Sequence, residues 1–305
     1  MRADGTDERL LREVNERHGT DFHIRREFPA TVNSGALLVE GSDGERILKW
    51  VATARSLQAQ RNAQRVTRAL AAKGYPVPKY EHVEPYGDGG YVLMTKLPGE
   101  PAEFREHALA QTERVLRLNA LQYRAGVLTS TWPAEIVRGV REGGDGYCHP
   151  EAMRAQSPRA AALLDTLQQL GAENAAAGGP TDGVVHKDLN PGNVLAVGAH
   201  VTGVVDWENS TSGDPAYDVA YLWFCIYDHE DCRGPLWRHL LGVAEPSTIA
   251  LYAAHIIIGF VSGAIAHDPE WIDRRLDAAP RALADIAALG IGVDARQRSA
   301  PRFPE

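Results

Sequence analysis

The stretch GVVHKDLNPGNVLAVGAHVTGVVDWE, residues 183–208, decides how this chain is read. Val194 to Val197 and Thr202 to Val205 are apolar runs joined by Gly198-Ala199-His200-Val201, so the spacing predicts a β-hairpin. Counting outward from a Val197–Thr202 pair places Asn193 opposite Asp206. Directly opposed residues on a ladder have Cβ atoms about 5 Å apart. At that spacing an amide oxygen and a carboxylate suit one hard cation such as Mg²⁺. Asp188 stands just before Leu189-Asn190-Pro191-Gly192, where proline and glycine turn the chain, so a third polar group, the second carboxylate, is expected at the same point. A solvated, turn-rich hairpin end explains any one of these residues alone, but not the three together. Together they are the parts of phosphoryl transfer: metal between the β- and γ-phosphates, and a separate carboxylate to take the proton of the attacking hydroxyl.

The chain on the N-terminal side reads mostly as strands. FHIRREFP, GALLVEG and ERILKWV are short β-type runs, the last two separated by a Ser42-Asp43-Gly44 turn. A helix is expected over about Ala54 to Ala72, stopped by Gly74 and Pro76. KYEHVEP and YVLMTKL then flank the turn Tyr86-Gly87-Asp88-Gly89-Gly90. Three strands, a helix and two strands make an antiparallel sheet with a helix packed on it. Beyond Pro101 the pattern turns helical, with an apolar face of Leu109, Val115, Leu116, Leu118 and Leu121 between about Glu106 and Arg124. Another helix is expected over Pro158 to Asn174. The fold class is thus α+β in two lobes, a small antiparallel N-lobe over residues 1–97 and a larger, mainly helical C-lobe over 98–305.

Composition sets the outer bounds. Of 305 residues, 44% are hydrophobic and 24% charged, ordinary for a soluble globular protein. A net charge of −8 argues against a general nucleic-acid binder. The three cysteines, Cys148, Cys225 and Cys232, lack a metal-binding spacing and read as reduced structural thiols. The opening MRADGTDERLLREVN is charged throughout and reads as no secretion signal, which points to the cytoplasm. Ile249 to Ala266 is apolar enough to raise a membrane question, but His255, Gly259, Ser262 and Gly263 make it a buried helix of a soluble domain.

HKDLNPGN followed by VVDWE resembles the catalytic and metal-binding loops of the aminoglycoside phosphotransferase family, relatives of the protein kinases. GDPAYDVAYL, residues 213–222, resembles the element that follows. The resemblance implies a protein-kinase-like fold, Asp188 as catalytic base, Asn193 and Asp206 as Mg²⁺ ligands, and His186 as a support of the loop. It also implies ATP or GTP as phosphoryl donor. Asp214 and Asp218 read as structural, Asp214 at a helix N-cap with Pro215 at the first helical position.

Lys49, in ILKW at the end of the third strand, falls where the family's phosphate-binding lysine lies. TVNSGALLV looks like its phosphate-covering loop, with the backbone of Asn33, Ser34 and Gly35 near a phosphate. YVLMTKLPGEP resembles the hinge, with Thr95 and Leu97 bonding the purine edge and Met94 behind it. One element departs from the pattern. The helix after Lys49 normally supplies a glutamate to the lysine, yet residues 51–74 hold no Asp or Glu, only Gln58, Gln60 and Gln64. Either a glutamine orients Lys49 or an acid comes from elsewhere.

For the acceptor, residues 188–232 contain no Lys or Arg, whereas Asp228, Glu230 and Asp231 follow the aromatic run YLWFCIY. That suggests either a negatively lined pocket for a cationic substrate or a solvated helix end. Val127 to Pro150, with Trp132, Glu135, Asp145 and Tyr147, reads as a substrate-binding insertion or a long connection. The favoured function is O-phosphorylation of a small, cationic, hydroxylated antibiotic, an aminoglycoside or a basic cyclic peptide such as capreomycin or viomycin. The alternatives are a housekeeping kinase of an amino alcohol or sugar amine, and a nucleotide-binding regulator that has lost catalysis.

Overall fold

The computed structural model describes residues 6–29, 34–132, 134–144 and 148–290. In chain order the first half holds α1 (Thr6–His18), β1 (His23–Glu27), β2 (Ser34–Gly41), β3 (Gly44–Val51), α2 (Ala54–Ala71), β4 (Tyr80–Tyr86), β5 (Gly89–Thr95), β6 (Glu100–Pro101), α3 (Ala108–Gln122) and α4 (Ala134–Glu142). The second half holds α5 (Pro150–Gln156), α6 (Pro158–Glu173), β7 (Gly183–Val185), β8 (Val194–Val197), β9 (His200–Val204), β10 (Thr211–Gly213), α7 (Ala216–Cys225), α8 (Glu230–Val243), α9 (Pro246–His267) and α10 (Ile272–Ala287). The chain divides into two compact units, residues 1–102 with 192–210, and residues 103–191 with 211–305.

In the first unit the strands pair antiparallel in the order β1-β2-β3-β5-β4. Alternation places Leu37 and Val39 of β2 on one face with Leu48 and Trp50 of β3. They meet Leu10, Leu11 and Val14 of α1, Phe22, Tyr91 and Leu93 in one buried cluster. Helix α1 is an addition to the elements expected from sequence, which begin at FHIRREFP. Its Leu10, Leu11 and Val14 lie at helical spacing among charged residues, and the sheet gives that stripe a surface to cover. Helix α2 starts where the Thr53 hydroxyl accepts from Ser56 N at 3.1 Å, and the chain leaves it through Gly74 at φ +80°. Gly35 stands opposite Trp50, and a Cβ there would lie 2.6 Å from the indole Nε1. In this chain the lack of a side chain at 35 is therefore required by Trp50.

The hairpin β8–β9 belongs to the same unit, and its register differs from the expected one. Val197 pairs with His200 rather than Thr202, Ala196 with Val201, Leu195 with Gly203 and Val194 with Val204. The turn is only Gly198-Ala199, with Gly198 at φ +57°. Thr202 is the extra residue of a bulge and donates its hydroxyl to the Pro98 carbonyl. The tighter turn and the bulge together move the ladder by one residue. Asn193 consequently faces Val205, whose N–H donates to the Asn193 carbonyl at 2.9 Å, and Asp206 comes one residue later.

In the second unit α9 packs against α4, α5, α6, α7 and α10. It is long and apolar enough to cross a membrane by length and composition, but Ile249 to Ala254 and Ile256 to Ile258 are buried by these neighbours. Trp132, Tyr217 and Tyr252 stack edge to face at 5.1–5.6 Å. The Trp132 indole N–H donates to Tyr252 at 2.9 Å, and the Tyr252 hydroxyl donates to Asp214 at 2.9 Å. Helix α3 buries Asn119 and Gln122 along with Val115 and Leu118, while Leu109 is exposed. The polar pair is buried because it has partners: Asn119 donates to the Pro215 carbonyl at 2.8 Å, and Gln122 donates to the Val184 carbonyl and to Asp218 at 3.0 and 2.6 Å.

Candidate active site

Lys49 of β3 is buried, and its Nζ reaches Asp206 at 3.2 Å and Glu208 more closely still. The backbone that delivers these acids bends sharply. Asp206 sits at φ +63° and ψ +55°, a left-handed conformation that aspartate tolerates better than most residues. A single helical turn, Trp207–Asn209, follows. Trp207 is fully buried, donates its indole N–H to the Val204 carbonyl at 2.9 Å and meets Tyr75 edge-on at 5.5 Å. Burial works against the Lys49 charge, but Glu208 and then Asp206 outweigh it, so the ammonium titrates above the usual lysine range.

None of the three glutamines meets the lysine. Gln58 donates to Asn62 and Gln64 to the Tyr80 carbonyl, both at 3.3 Å. Gln60 is buried with its Oε1 unpartnered. Of the two possibilities the sequence left open, the structure shows the acid from elsewhere.

The loop carrying Asp188 is held from α7. Asp218, fully buried, accepts from the consecutive amides of His186 and Lys187 at 2.7 and 3.0 Å. Lys187 takes φ +70° and turns its ammonium to Glu135 of α4. The Asp188 N–H donates to His186 Nδ1 at 3.3 Å, so the buried imidazole supports the loop. On the carboxylate itself, Tyr221 and Asn190 donate to Oδ1 at 2.9 and 2.8 Å. Asp214 accepts from Ala216 N at 3.0 Å at the start of α7, so Asp214 and Asp218 both have structural tasks.

Ser34 and Gly35 lie at the start of β2, paired with Val51 and Trp50, and Asn33 lies outside the described residues. Met94 pairs with Ile47 and Tyr80. The Thr95 N–H donates to the Lys79 carbonyl at 3.0 Å, and its hydroxyl accepts from Lys79 N at 2.9 Å. Leu97 packs against Gly203, where a Cβ would lie 2.3 Å from its Cδ1. In the second unit, Trp132 is core and Glu135 is bound to Lys187, while Asp145 and Tyr147 lie outside the described residues. Asp228 sits between Arg274, at 3.1 Å, and Arg281. Glu230 and Asp231 open α8, where acids meet the positive end of the helix dipole. These contacts favour the solvated-helix-end reading of the three acids.

The profile of the phosphotransferase enzyme family matches residues 26–252, most of the chain. The chain belongs to this phosphotransferase family. Comparison with curated protein sequences returns no match. Among solved structures, a thermostable mutant of aminoglycoside phosphotransferase APH(4)-Ia superposes with a TM-score of 0.69 at 18% identity, covering 90% of this chain and 99% of that one. Aminoglycoside 2′-phosphotransferase-IIIa, solved as a GDP complex, gives 0.62 at 16%, covering 91% and 97%. Aminoglycoside phosphotransferase APH(3″)-Id from Streptomyces rimosus gives 0.53 at 18%, covering 83% and 98%. At these identities the likeness is one of fold.

Phosphoryl transfer in kinases generally uses a divalent ion to neutralise charge on the phosphates. Among the described residues no three of His, Cys, Asp and Glu gather to hold one. Mg²⁺ is commonly bound through one or two protein oxygens, with substrate phosphates and water completing the shell. Asn193 with Asp206, whose side chain is 51% exposed, fits that donor set.

Two contributors lie beyond the expected site, Glu208 on Lys49 and Tyr221 on Asp188. Glu208 was visible as an acid two residues after Asp206. Nothing in sequence pointed to Tyr221, which reads as part of an apolar helix.

Proposed function

We propose that this phosphotransferase transfers the γ-phosphoryl group of ATP or GTP to a hydroxyl of a small molecule. Lys49 binds the α- and β-phosphates, Asn193 and Asp206 hold Mg²⁺, and Asp188 accepts the acceptor's proton. Bound Mg²⁺ supplies charge neutralisation on the phosphates. The backbone of Thr95 and Leu97 receives the purine, with Met94 behind it. Because the Thr95 N–H is spent on Lys79, the Thr95 contribution is its carbonyl. Ser34 and Gly35, with Asn33, cover the phosphates.

The observation that carries the reading is Lys49, a buried lysine whose ammonium is fixed beside the two acids of the Asp206-Trp207-Glu208 motif. A surface lysine on an edge strand would have neither feature, and β3 is interior to the sheet, between β2 and β5.

For the acceptor we propose an antibiotic of the aminoglycoside or basic cyclic-peptide class. Its support is the relative APH(4)-Ia, solved with ADP and hygromycin B. The acids after α7 give it no further support, since Asp228 is taken by arginines. The experiment is nucleoside diphosphate release with a panel of hydroxylated aminoglycosides, cyclic peptides and amino alcohols, followed by mass spectrometry of the acceptor. Release with an amino alcohol and not with any antibiotic would reassign the substrate class.

A further inference from the structure

We infer that Glu208 is the residue that orients Lys49, in place of an acid that α2 lacks, so that Asp206 and Glu208 divide the motif between metal and lysine. The inference rests on the reading of Lys49 as the phosphate-binding lysine. It begins from a vacancy in sequence: residues 51–74 hold no Asp or Glu. An unrestrained lysine stem loses rotamer entropy each time it is ordered, so a buried phosphate-binding lysine needs a fixed partner. In this chain the candidates on α2 are committed elsewhere or do not reach it, and Glu208 bonds the ammonium directly.

The support behind Glu208 suits a positioning task. It lies on the turn Trp207–Asn209, which packs against α2. That turn is pinned on one side by the fully buried Trp207 and on the other by Ser210, whose N–H and hydroxyl donate to the Trp207 carbonyl at 3.0 and 2.5 Å. The carboxylate is thereby presented from a rigid segment, as the helix acid would be.

Exposure separates the two acids. The Asp206 side chain is 51% exposed, whereas that of Glu208 is 26% exposed and its Oε2 is buried with no hydrogen-bond partner. A hydrated Mg²⁺ reaches an oxygen that faces solvent more readily than one that is enclosed. Asp206 is therefore the acid available to metal, and Glu208 the one left to the lysine. A division of this kind lets Asp206 leave Lys49 for a metal ion without releasing the lysine.

Calorimetric binding of a non-hydrolysable ATP analogue, with and without Mg²⁺, tests this on Lys49→Met, Glu208→Gln and the double variant, with Asp206→Ala as reference. Glu208→Gln is close to isosteric, and its melting temperature reports on folding. The expected result is affinity weakened about tenfold by Glu208→Gln, the scale of one charge-assisted hydrogen bond. The ratio of affinities with and without Mg²⁺ should be kept, and the effect should vanish in the Lys49→Met background. If Glu208→Gln abolishes the Mg²⁺ dependence as Asp206→Ala does, Glu208 is a metal ligand and the inference is overturned. An equal loss in the Lys49→Met background, or no loss at all, overturns it too. If Lys49→Met alone leaves affinity unchanged, the phosphate-binding reading fails first, a result distinct from the others.

Discussion

Tyr221 donates its hydroxyl to Oδ1 of Asp188 at 2.9 Å, and burial, followed by the Asp188 charge, holds that phenol well above its usual range. The hydroxyl thus stays a donor, and with Asn190 it fixes the plane of the carboxylate. Replacing Asp188 by Asn should lower turnover about 10²–10⁴-fold, the scale of a lost positioned base, with nucleotide affinity retained. Tyr221→Phe should reduce turnover by about tenfold through one charge-assisted bond, also without changing nucleotide affinity. Steady-state kinetics beside calorimetry decide both. An Asp188→Asn enzyme with near-normal turnover would remove the base from Asp188.

Nucleotide affinity should depend on Mg²⁺, and Asp206→Ala should remove most of that dependence. Its carboxylate is half exposed and follows directly on Val205, the residue bonded to Asn193. Equal affinity of the parent protein with and without Mg²⁺ would contradict a metal-linked site.

Asp218→Ala should destabilise the fold by about 3 kcal/mol or more, since two loop amides and Gln122 lose a buried acceptor at about 1–3 kcal/mol each. Those three bonds are 2.6–3.0 Å long. Denaturant unfolding measures the loss, and a change below about 1 kcal/mol would show that the loop does not hang on α7.

His255 gives a pH dependence of known sign. Burial first, and then Lys187, depresses its pKa from 6.5 to about 4, with Glu135 pulling the other way. Its ring nitrogens meet Tyr217 at 2.8 Å and Cys148 at 3.6 Å. The unfolded chain binds the proton between those values and the folded chain does not. The His255 contribution is therefore full above pH 6.5 and is lost as pH falls toward 4, at up to about 1.4 kcal/mol per pH unit. Asp214, raised by burial to about 6, titrates with the opposite sign in an overlapping window, so the parent curve alone does not separate them. The stability gap between the parent and His255→Asn should shrink from pH 6.5 to 4 and stay constant above. A gap independent of pH would contradict the depressed value.

The sheet, α2, α6 and the loop motifs were legible in sequence because each is set by local pattern: alternation, caps and turn residues. The hairpin register was not, because the bulge at Thr202 depends on the Pro98 carbonyl, which no local pattern reveals. Helix α1 was passed over because its charged residues masked Leu10, Leu11 and Val14 until the sheet supplied their partner surface. The remaining gaps are tertiary. Lys49 and Glu208 are 159 residues apart, and Asp228 meets arginines 46 and 53 residues downstream. An acidic run therefore looked open when two of its neighbours in space were cations.

Phosphorylation of a hydroxyl with Asp188 as base has two separable signatures, dependence on the acceptor and dependence on that carboxylate. Acceptor-dependent release of nucleoside diphosphate, measured in parallel for the parent protein and Asp188→Asn, tests it most directly. Release should rise with a hydroxylated acceptor, be matched by transfer of one phosphoryl group to it, and fall at least about a hundredfold in the variant. Release of equal rate in both proteins, or phosphorylation of the acceptor undiminished by Asp188→Asn, would contradict it.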